Sequence, residues 1–493
     1  MPSLLIVSPA LVLCLGGMCV LTLGLWIQSK AFVYGASLLS LAVAAILYIS
    51  MIGKSSQDVF AGMLVFDPFA LFFSLFSIAV VTAALLMSVG SKAIPDERRV
   101  EFNSILLALC SGLIFMVSAN HFLMIYLAIE TVSILSYTLA GFSREKSASV
   151  ESSLKYVVYG SMASALMVFG MSLIFGITGH VDLLSIRSFF AQTPVETLPP
   201  LLWVAVLLVF AGIGYKISAA PMHMWTPDVY EGAPTPVTAL FSVGPKAAGV
   251  ALLVRFFVTG FSQSRGEASF EILGSFDWPK FLMYSSLFTM FMGNLAALGQ
   301  VSVKRLLAYS SIAHAGYILM GTTTRTQEGL SAIVFYIILY CLMNLGAFWV
   351  TSKVEDAYGS DSLNQFKGLG RRHPFYGIAM AVFLFSLVGL PPFAGFIGKF
   401  YLFSAILKQG MYSFALLAAI NSVISLYYYV KVVKVMFLEA PVGLDSVEQQ
   451  NIFDCKTTVV FISLLAIPNL VLGIYWEPVM NLAQRVLGLF MGA

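Results

Sequence analysis

The sequence predicts an all-α integral membrane protein of about 14 transmembrane helices, with two inverted five-helix repeats that each contain a broken helix, in spans 7 and 12. Three observations carry this expectation. Of the 493 residues, 59% are hydrophobic and only 10% are charged, and the mean hydropathy is +0.90; an ordinary globular domain is roughly 45 to 50% apolar and about 25% charged. The apolar residues fall in long runs, and about 20 of them form a helix that crosses a hydrocarbon core ~30 Å thick. Two of the runs are interrupted by prolines and glycines, and each interruption carries a lysine, Lys216 and Lys399. The interruptions lie five spans apart. An odd offset reverses direction across the membrane, so the two breaks read as corresponding parts of inverted repeats with a working site at the midplane; the plainer alternative is a pair of unrelated proline kinks.

Taken in order, the first span is 4–26, which lacks a positively charged start and is too long for a cleavable signal. Continuous apolar runs give 32–52 and 68–90, and the polar turn Asn120-His121 divides 103–118 from 121–141. After the Arg144-Glu145-Lys146 loop come 153–177 and, following Pro199-Pro200, 201–219. There Gly212, Gly214, Pro221, Pro227, Pro234 and Pro236 break the seventh span, because proline removes an amide donor and glycine loosens the helix. The chain resumes at 236–259, 281–299, 304–321 and 328–351, then at 375–407, which is interrupted at Pro391-Pro392, and finishes with 410–435 and 457–476. Broken backbone at membrane depth is tolerated only where protein buries it or a wet cavity solvates it. The expected organisation is N-terminal helices over 1–100, a first repeat over 101–260, a second over 279–435, and a C-terminal loop and last helix over 436–493.

Charge sets the expected orientation. With the N-terminus outside, the inward loops hold fifteen lysines and arginines, among them Arg98, Arg99, Lys304, Arg305, Arg371 and Arg372, against seven outside. The positive-inside rule then puts both termini on the periplasmic side. The net charge of +3 is small and scattered, so no nucleic-acid surface is implied. The five cysteines, Cys14, Cys19, Cys110, Cys341 and Cys455, include no CxxC pair and form neither a disulfide framework nor a metal cluster. There is no GxGxxG, P-loop or HExxH motif. A proton carrier built from such a chain takes its energy from a partner or from another ion gradient.

Five lysines and arginines and one carboxylate fall inside spans. Glu130 lies nine residues into its span, ~14 Å deep. A midplane acid is costly unless paired or protonated and usually marks an ion or proton pathway; the structural alternative is a single anchoring hydrogen bond. Lys246 lies ten residues into its span, ~15 Å deep, too far to reach either surface. A desolvated ammonium is disfavoured relative to its neutral amine, which suits loading and release of a proton. Lys216 and Lys399 stand beside the breaks, where freed carbonyls and water would solvate an ammonium, and snorkelling is their alternative. Lys155 is nearer the inner end of its span, and if spans 5 and 6 are neighbours it is placed to pair with Glu130. His314, flanked by Ser310, Ser311 and Tyr317, reads as a relay or as a satisfied core histidine. Arg255, Lys431 and Lys434 read as snorkelled surface charges.

These motifs resemble the antiporter-like subunits of respiratory complex I and the related Mrp-type cation/proton antiporters, over roughly residues 100–435. The string His223-Met-Trp-Thr-Pro-Asp228-Val-Tyr-Glu231-Gly-Ala-Pro-Thr-Pro236 is similar to the branch found in bacterial proton-pumping NADH:quinone oxidoreductase. Its Asp-Val-Tyr-Glu-Gly differs from the Asp-Ala-His typical of the other branches. The resemblance implies proton-carrying roles for Glu130, Lys155, Lys216, Lys246 and Lys399, with Glu130 and Lys155 modulating Lys216, Lys246 connecting the halves, and Lys399 exchanging protons with one side. His314 joins that set from its depth, and Lys304, Asp228 and His223 are secondary candidates. It further implies a translocase subunit of the bacterial inner membrane without redox chemistry of its own. FMN and iron–sulfur clusters would then sit in partner subunits and quinone elsewhere in the complex, with other membrane subunits and lipids as partners. A free-standing Na⁺ or K⁺/H⁺ antiporter component is the alternative, and an inert membrane scaffold a third.

Overall fold

A computed structural model describes residues 2–27, 29–265, 269–441 and 447–491. The first unit of the chain is three hydrophobic helices, α1 (Pro2–Gly24), α2 (Lys30–Ile49) and α3 (Pro68–Ser88). A small hairpin, Gln57–Val59 paired with Leu64–Phe66, joins the last two. Asp67 fixes the start of α3: its side chain accepts from the Ala70 amide at 2.7 Å, and proline fills the first helical position.

The next stretch holds α4 (Arg99–Ser118), α5 (Phe122–Ala140), α6 (Ser147–Thr178), the short α7 (Leu183–Gln192), α8 (Leu201–Ile217), α9 (Thr226–Gly232) and α10 (Thr235–Gly260). After a second hairpin, Ser262–Arg265 with Ser269–Ile272, come α11 (Trp278–Ala297), α12 (Val303–Thr322), α13 (Gln327–Tyr358), the single turn α14 (Leu369–Arg372), α15 (Pro374–Val388), α16 (Ala394–Lys408) and α17 (Tyr412–Leu438). The chain closes with α18 (Val447–Phe453), α19 (Lys456–Val471) and α20 (Glu477–Met491). Side-chain caps begin several of these helices where the sequence turns polar: Asp277 before α11, Ser302 before α12 and Thr326 before α13.

A pattern of lengths repeats. Helices of 20, 19 and 32 residues (α4 to α6) precede a broken helix and a 26-residue helix, α10. Helices of 20, 20 and 32 residues (α11 to α13) precede the second broken helix and a 27-residue helix, α17. Both 32-residue helices end on a left-handed glycine, Gly179 at φ 72° and Gly359 at φ 73°. The two breaks fall where the prolines predict. In the first, α8 stops at Ser218 in left-handed conformation, φ 60°, and the Ala220–Pro221 peptide is cis. In the second, α15 stops at Gly389, φ 86°, and the Pro391–Pro392 peptide is cis.

Each predicted span coincides with a helix, or with the α15–α16 pair at span 12. Nine helices among the described residues are long and apolar enough to cross a membrane unaided. The chain is an all-α, multi-pass membrane protein. Three features differ from the sequence expectation. α13 runs seven residues past the predicted end at 351, to Tyr358, which brings Glu355 and Asp356 onto a helix. α7, α9, α14, α18 and α20 are additional helices, too short or too polar in pattern to register as apolar runs. The loop expected within 436–493 includes residues 442–446, and the segment ends with 492–493; both stretches lie outside the described residues.

α10 lies at the centre, its most apolar stretch wholly enclosed by protein, with α3, α4, α8, α12 and α13 packed around it. α2, α6 and α17 lie outside and present Leu39, Ile46, Leu154, Val158, Phe169, Leu416 and Val423 outward. In a bilayer such faces meet acyl chains at no cost. Any charge on α10, in contrast, has to be satisfied by protein or trapped water.

Candidate functional site

The site begins at α5. Glu130 accepts a hydrogen bond from the Ser164 hydroxyl of α6, and its carboxylate is within electrostatic reach of Lys216. Lys155 does not pair with Glu130, although α5 and α6 are neighbours as expected. Its ammonium lies 2.7 Å from Asp228 of α9 and 2.7 Å from Glu151 on its own helix. The reason is axial distance: Lys155 and Ser164 are nine residues apart, ~14 Å along α6, so the lysine belongs to the helix end and the glutamate to the middle.

Asp228 continues this surface network. Arg305 of α12 lies 2.8 Å from Asp228 and 2.6 Å from Glu231, so the two acids of α9 clamp a basic residue from the other half of the chain. Burial pushes the Asp228 carboxyl up, and Lys155 and Arg305 more than offset that, holding it below the usual carboxylate range. Beneath the network, buried Lys304 donates to the Ala233 carbonyl at 2.9 Å and sits 3.5 Å from Glu355. That carbonyl lies in the gap between α9 and α10, where Pro234 and Pro236 interrupt amide hydrogen bonding.

Lys216 occupies the last turn of α8, 1% exposed, and its ammonium nitrogen has no hydrogen-bond partner among the described residues. The helix C-terminus supplies favourable partial negative charge, and the Tyr215 ring lies 5.8 Å away. Gly249 of α10 lets α8 approach: a Cβ there would lie 2.7 Å from Ile217 and 3.4 Å from the Lys216 Cβ. Lys216 therefore packs on α10 about one turn from Lys246. Lys246 follows Pro245 in the sequence, donates to the Ser311 hydroxyl of α12, and lies 5.5 Å from the Tyr230 ring.

Ser311 is three residues from His314, hence on the same face of α12. The His314 ring is 2% exposed. Its Nδ1 shares a hydrogen bond with the Tyr336 hydroxyl at 2.7 Å and its Nε2 one with the Tyr429 hydroxyl at 3.2 Å. Lys399, in the second turn of α16, donates to the Val388 carbonyl at the broken end of α15 (2.8 Å) and to Ser422 (3.5 Å), and sits 4.5 Å over the Tyr317 ring. The second break thus solvates its lysine with a freed carbonyl, as the sequence predicts. The first does not: the satisfied groups there are Trp225, which donates to the Tyr215 carbonyl at 3.0 Å, and Ala220, whose amide donates to Thr289 at 2.9 Å. His223 is buried beside this first break, and its Nδ1 has no partner among the described residues.

Lys216, Lys246, His314 and Lys399 are buried on α8, α10, α12 and α16, with half-buried Glu130 of α5 at one end; Ser164 bonds Glu130, Ser311 bonds Lys246, and the Tyr336 and Tyr429 hydroxyls bond His314. Lys155, Asp228 and Lys304 form a second layer nearer the surface. Of the groups in the first layer, the bridging serines and tyrosines escape a reading confined to charges. Their signal in the sequence is helical spacing: Ser311 with His314, and Tyr336, Tyr340 and Asn344 along α13. Arg255 is also not snorkelled. It is 2% exposed, paired bidentately with Asp67 at 2.8 and 3.1 Å, and flanked by the Phe69 and Phe490 rings. Among the described residues no group of three or more His, Cys, Asp or Glu is placed to hold a metal ion.

Titratable side chains gathered beside two broken helices in an all-α, multi-pass fold are the arrangement of an antiporter-like membrane protein. The family model described as NADH:quinone oxidoreductase/Mrp antiporter, transmembrane, matches residues 119–425, and the chain belongs to that family. It is 41% identical over 94% of its length to NADH-quinone oxidoreductase subunit N of Anaeromyxobacter sp. (strain Fw109-5), covering 92% of that relative. A chain of respiratory complex I from Thermus thermophilus with bound aureothin is 30% identical, with a TM-score of 0.79 and coverage of 97% of this chain and 99% of that one. A chain of the Mrp complex from Dietzia sp. DQ12-45-1b shares the fold, with a TM-score of 0.81 at 19% identity over 100% of this chain and 98% of that one.

Proposed function

We propose that this chain is the N-type, proton-translocating membrane subunit of a bacterial NADH:quinone oxidoreductase. The observation that carries the reading is the 41% identity, over nearly the full length of both chains, to a subunit of that name. The Mrp complex chain, at 19% identity, supports the fold alone. In the complex, electrons pass from NADH to quinone in other subunits, where FMN, iron–sulfur clusters and the quinone site belong, and this chain works beside other membrane subunits. It spans the bacterial inner membrane with both termini outside, because the basic loops then face the cytoplasm.

The mechanism follows from the geometry. A lysine in an enclosed site is destabilised when charged unless a counter-charge is near. Glu130 supplies that counter-charge to Lys216. When the surface network shifts relative to Glu130, the stability of the Lys216 ammonium changes and its proton moves toward Lys246, which hands on through the Ser311 and His314 face of α12 to Lys399. Two ammonium ions at adjacent stations repel, so loading one favours emptying the next. The corresponding units are residues 101–260 and 279–435, each contributing one broken helix and one lysine beside it. Glu130, Lys155, Lys216, Lys246, His314 and Lys399 carry the protons or set their energy, with Lys304, Asp228 and His223 in support and Pro221, Pro391 and Pro392 holding the breaks.

The test is Lys246→Ala in the assembled complex. On a native gel the variant should migrate with the flavin and iron–sulfur subunits in an NADH-oxidising band, as the unaltered chain does, while NADH-driven proton pumping is lost. A normal proton-to-electron ratio would refute the role of Lys246. Migration with other antiporter-like chains and no redox subunit would refute the assignment to the oxidoreductase.

A further inference from the structure

α10 and α13 face each other through the centre of the molecule, and polar side chains run the length of that contact. On α10 they are Thr235, Thr238, Ser242 and Lys246, spaced three, four and four residues apart and so on one helix face. On α13 they are Tyr336, Tyr340, Asn344, Ser352 and Glu355, with Phe348 in the gap. The two rows touch at Thr235, whose hydroxyl donates to Glu355, and at Ser242, which accepts from Asn344 at 2.6 Å; Thr238 bonds instead to α9, its hydroxyl donating to the Tyr230 carbonyl at 3.0 Å. At the top, Lys246 and Tyr336 join Ser311 and His314.

Between those contacts the hydrogen-bonding capacity is unspent. Ser352 Oγ and Asn344 Oδ1 are buried with no hydrogen-bond partner among the described residues, and the buried hydroxyls of Tyr340 and Tyr230 have only Ser311 within reach. A buried polar atom left dry is destabilising. Unspent polar atoms along one helix contact are a cost that a core built for packing alone avoids, and one that a column able to order water does not incur. Glu355 stands at the end of the column, its side chain 19% exposed where Lys304 beside it is 3% exposed. From Thr235, its partner, to Lys246 is eleven residues of α10, ~16 Å, about half the hydrocarbon core. The neighbouring acids are committed elsewhere: Asp228 and Glu231 to Arg305, and Asp356 to Lys353 and the Lys92 amide.

We propose that Glu355 is the acid through which protons enter from the basic-rich face on their way to Lys246. A proton from bulk water converts the Glu355 carboxylate to the acid, passes along the hydroxyls and amide of the column, and converts the neutral Lys246 amine to the ammonium, which returns Glu355 to the carboxylate. The charged groups facing Glu355 are Lys304 of α12, Lys146 of the loop before α6, and Asp356 beside it on α13. Lys304, held by the Ala233 carbonyl, keeps the carboxylate in place between protons. Phe348 and Tyr230, with ring centroids 6.4 Å apart, narrow the column partway.

This inference rests on the proton-translocation reading, and one set of variants separates the two. In native membrane vesicles holding the whole complex, Glu355→Gln should slow NADH-driven proton pumping by about tenfold or more. The loss should be larger in slightly alkaline than in slightly acid medium, because uptake becomes limiting as free protons grow scarce, and Glu355→Asp should restore most of the rate. Tyr340→Phe removes a column hydroxyl without touching the ion pair and should slow pumping in the same pH-dependent sense, which keeps the test open if Glu355→Gln fails to assemble. Wild-type rate and pH profile in Glu355→Gln and Tyr340→Phe, alongside abolished pumping in Lys246→Ala, would overturn the entry route and leave the reading standing. Normal pumping in Lys246→Ala would overturn the reading itself.

Discussion

At the scale of single residues the molecule treats its buried charges in two ways. Arg255 and Asp67 neutralise each other through two hydrogen bonds, the Arg255 Nε–H points to the Val117 carbonyl at 3.3 Å, and aromatic rings cover the guanidinium. Lys216 receives nothing comparable. The first arrangement is a satisfied ion pair, and the second is a buried ammonium without a hydrogen-bond partner among the described residues. Arg255→Ala should accordingly destabilise the chain by about 3–5 kcal/mol, because it strands Asp67 in the core. Thermal unfolding of the detergent-solubilised complex measures this, and the double change Arg255→Met with Asp67→Asn should recover much of the loss. The Asp228 carboxyl gives a pH prediction with a definite sign. Its folded value lies below the ordinary one, so the pairing of α9 with Lys155 and Arg305 is complete above the ordinary carboxylate range and fails only as pH falls through the lowered value. Amide exchange in α9 should stay protected from neutral pH down to about pH 4. Loss of protection near neutrality would contradict that assignment.

At the scale of elements, the separation of α8 from α10 decides whether Lys216 and Lys246 can communicate. Gly249 sets it. Gly249→Val should force the helices apart and reduce proton pumping several-fold while both lysines remain, and a pumping assay on an assembled variant checks this. An unchanged rate would show that proximity across this contact is not limiting. Which elements the sequence disclosed follows from the same distinction. Spans are legible because a run of apolar residues is a property of one segment, and the two breaks are legible because proline acts on its own helix. Contacts between segments are not. Lys155 selects Asp228, 73 residues further on, over the nearer Glu130 because of where α9 is placed, which no local pattern encodes. Glu355 was hidden in a different manner: hydropathy ends span 11 at the first cluster of charges, whereas the backbone continues as helix to Tyr358. α20 escaped because an amphipathic helix has no apolar run.

At the scale of the whole molecule, the two units match in helix length but differ in surroundings. α13 is buried among α10, α12, α15, α16 and α19, whereas its counterpart α6 has an apolar outer face. The polar column therefore lies between the two stretches, α10 of the first against α13 of the second. The surface clamp of Asp228 and Glu231 on Arg305 ties the break in the first unit to α12 in the second, so a displacement of either unit reaches the electrostatics of the other.

The covering of Arg255 bears on how such a chain is made. Phe490, stacked on Phe69 at 4.8 Å and lying over the guanidinium, belongs to α20, which follows every span and so leaves the ribosome after them. α3 and α10 must enter the membrane while Asp67 and Arg255 are still open to water at its surface. The ion pair is therefore sealed in part by a helix that follows it by more than 200 residues, so its enclosure is completed only when α20 packs. A chain lacking α20 would expose Arg255 at one face that Phe490 otherwise covers.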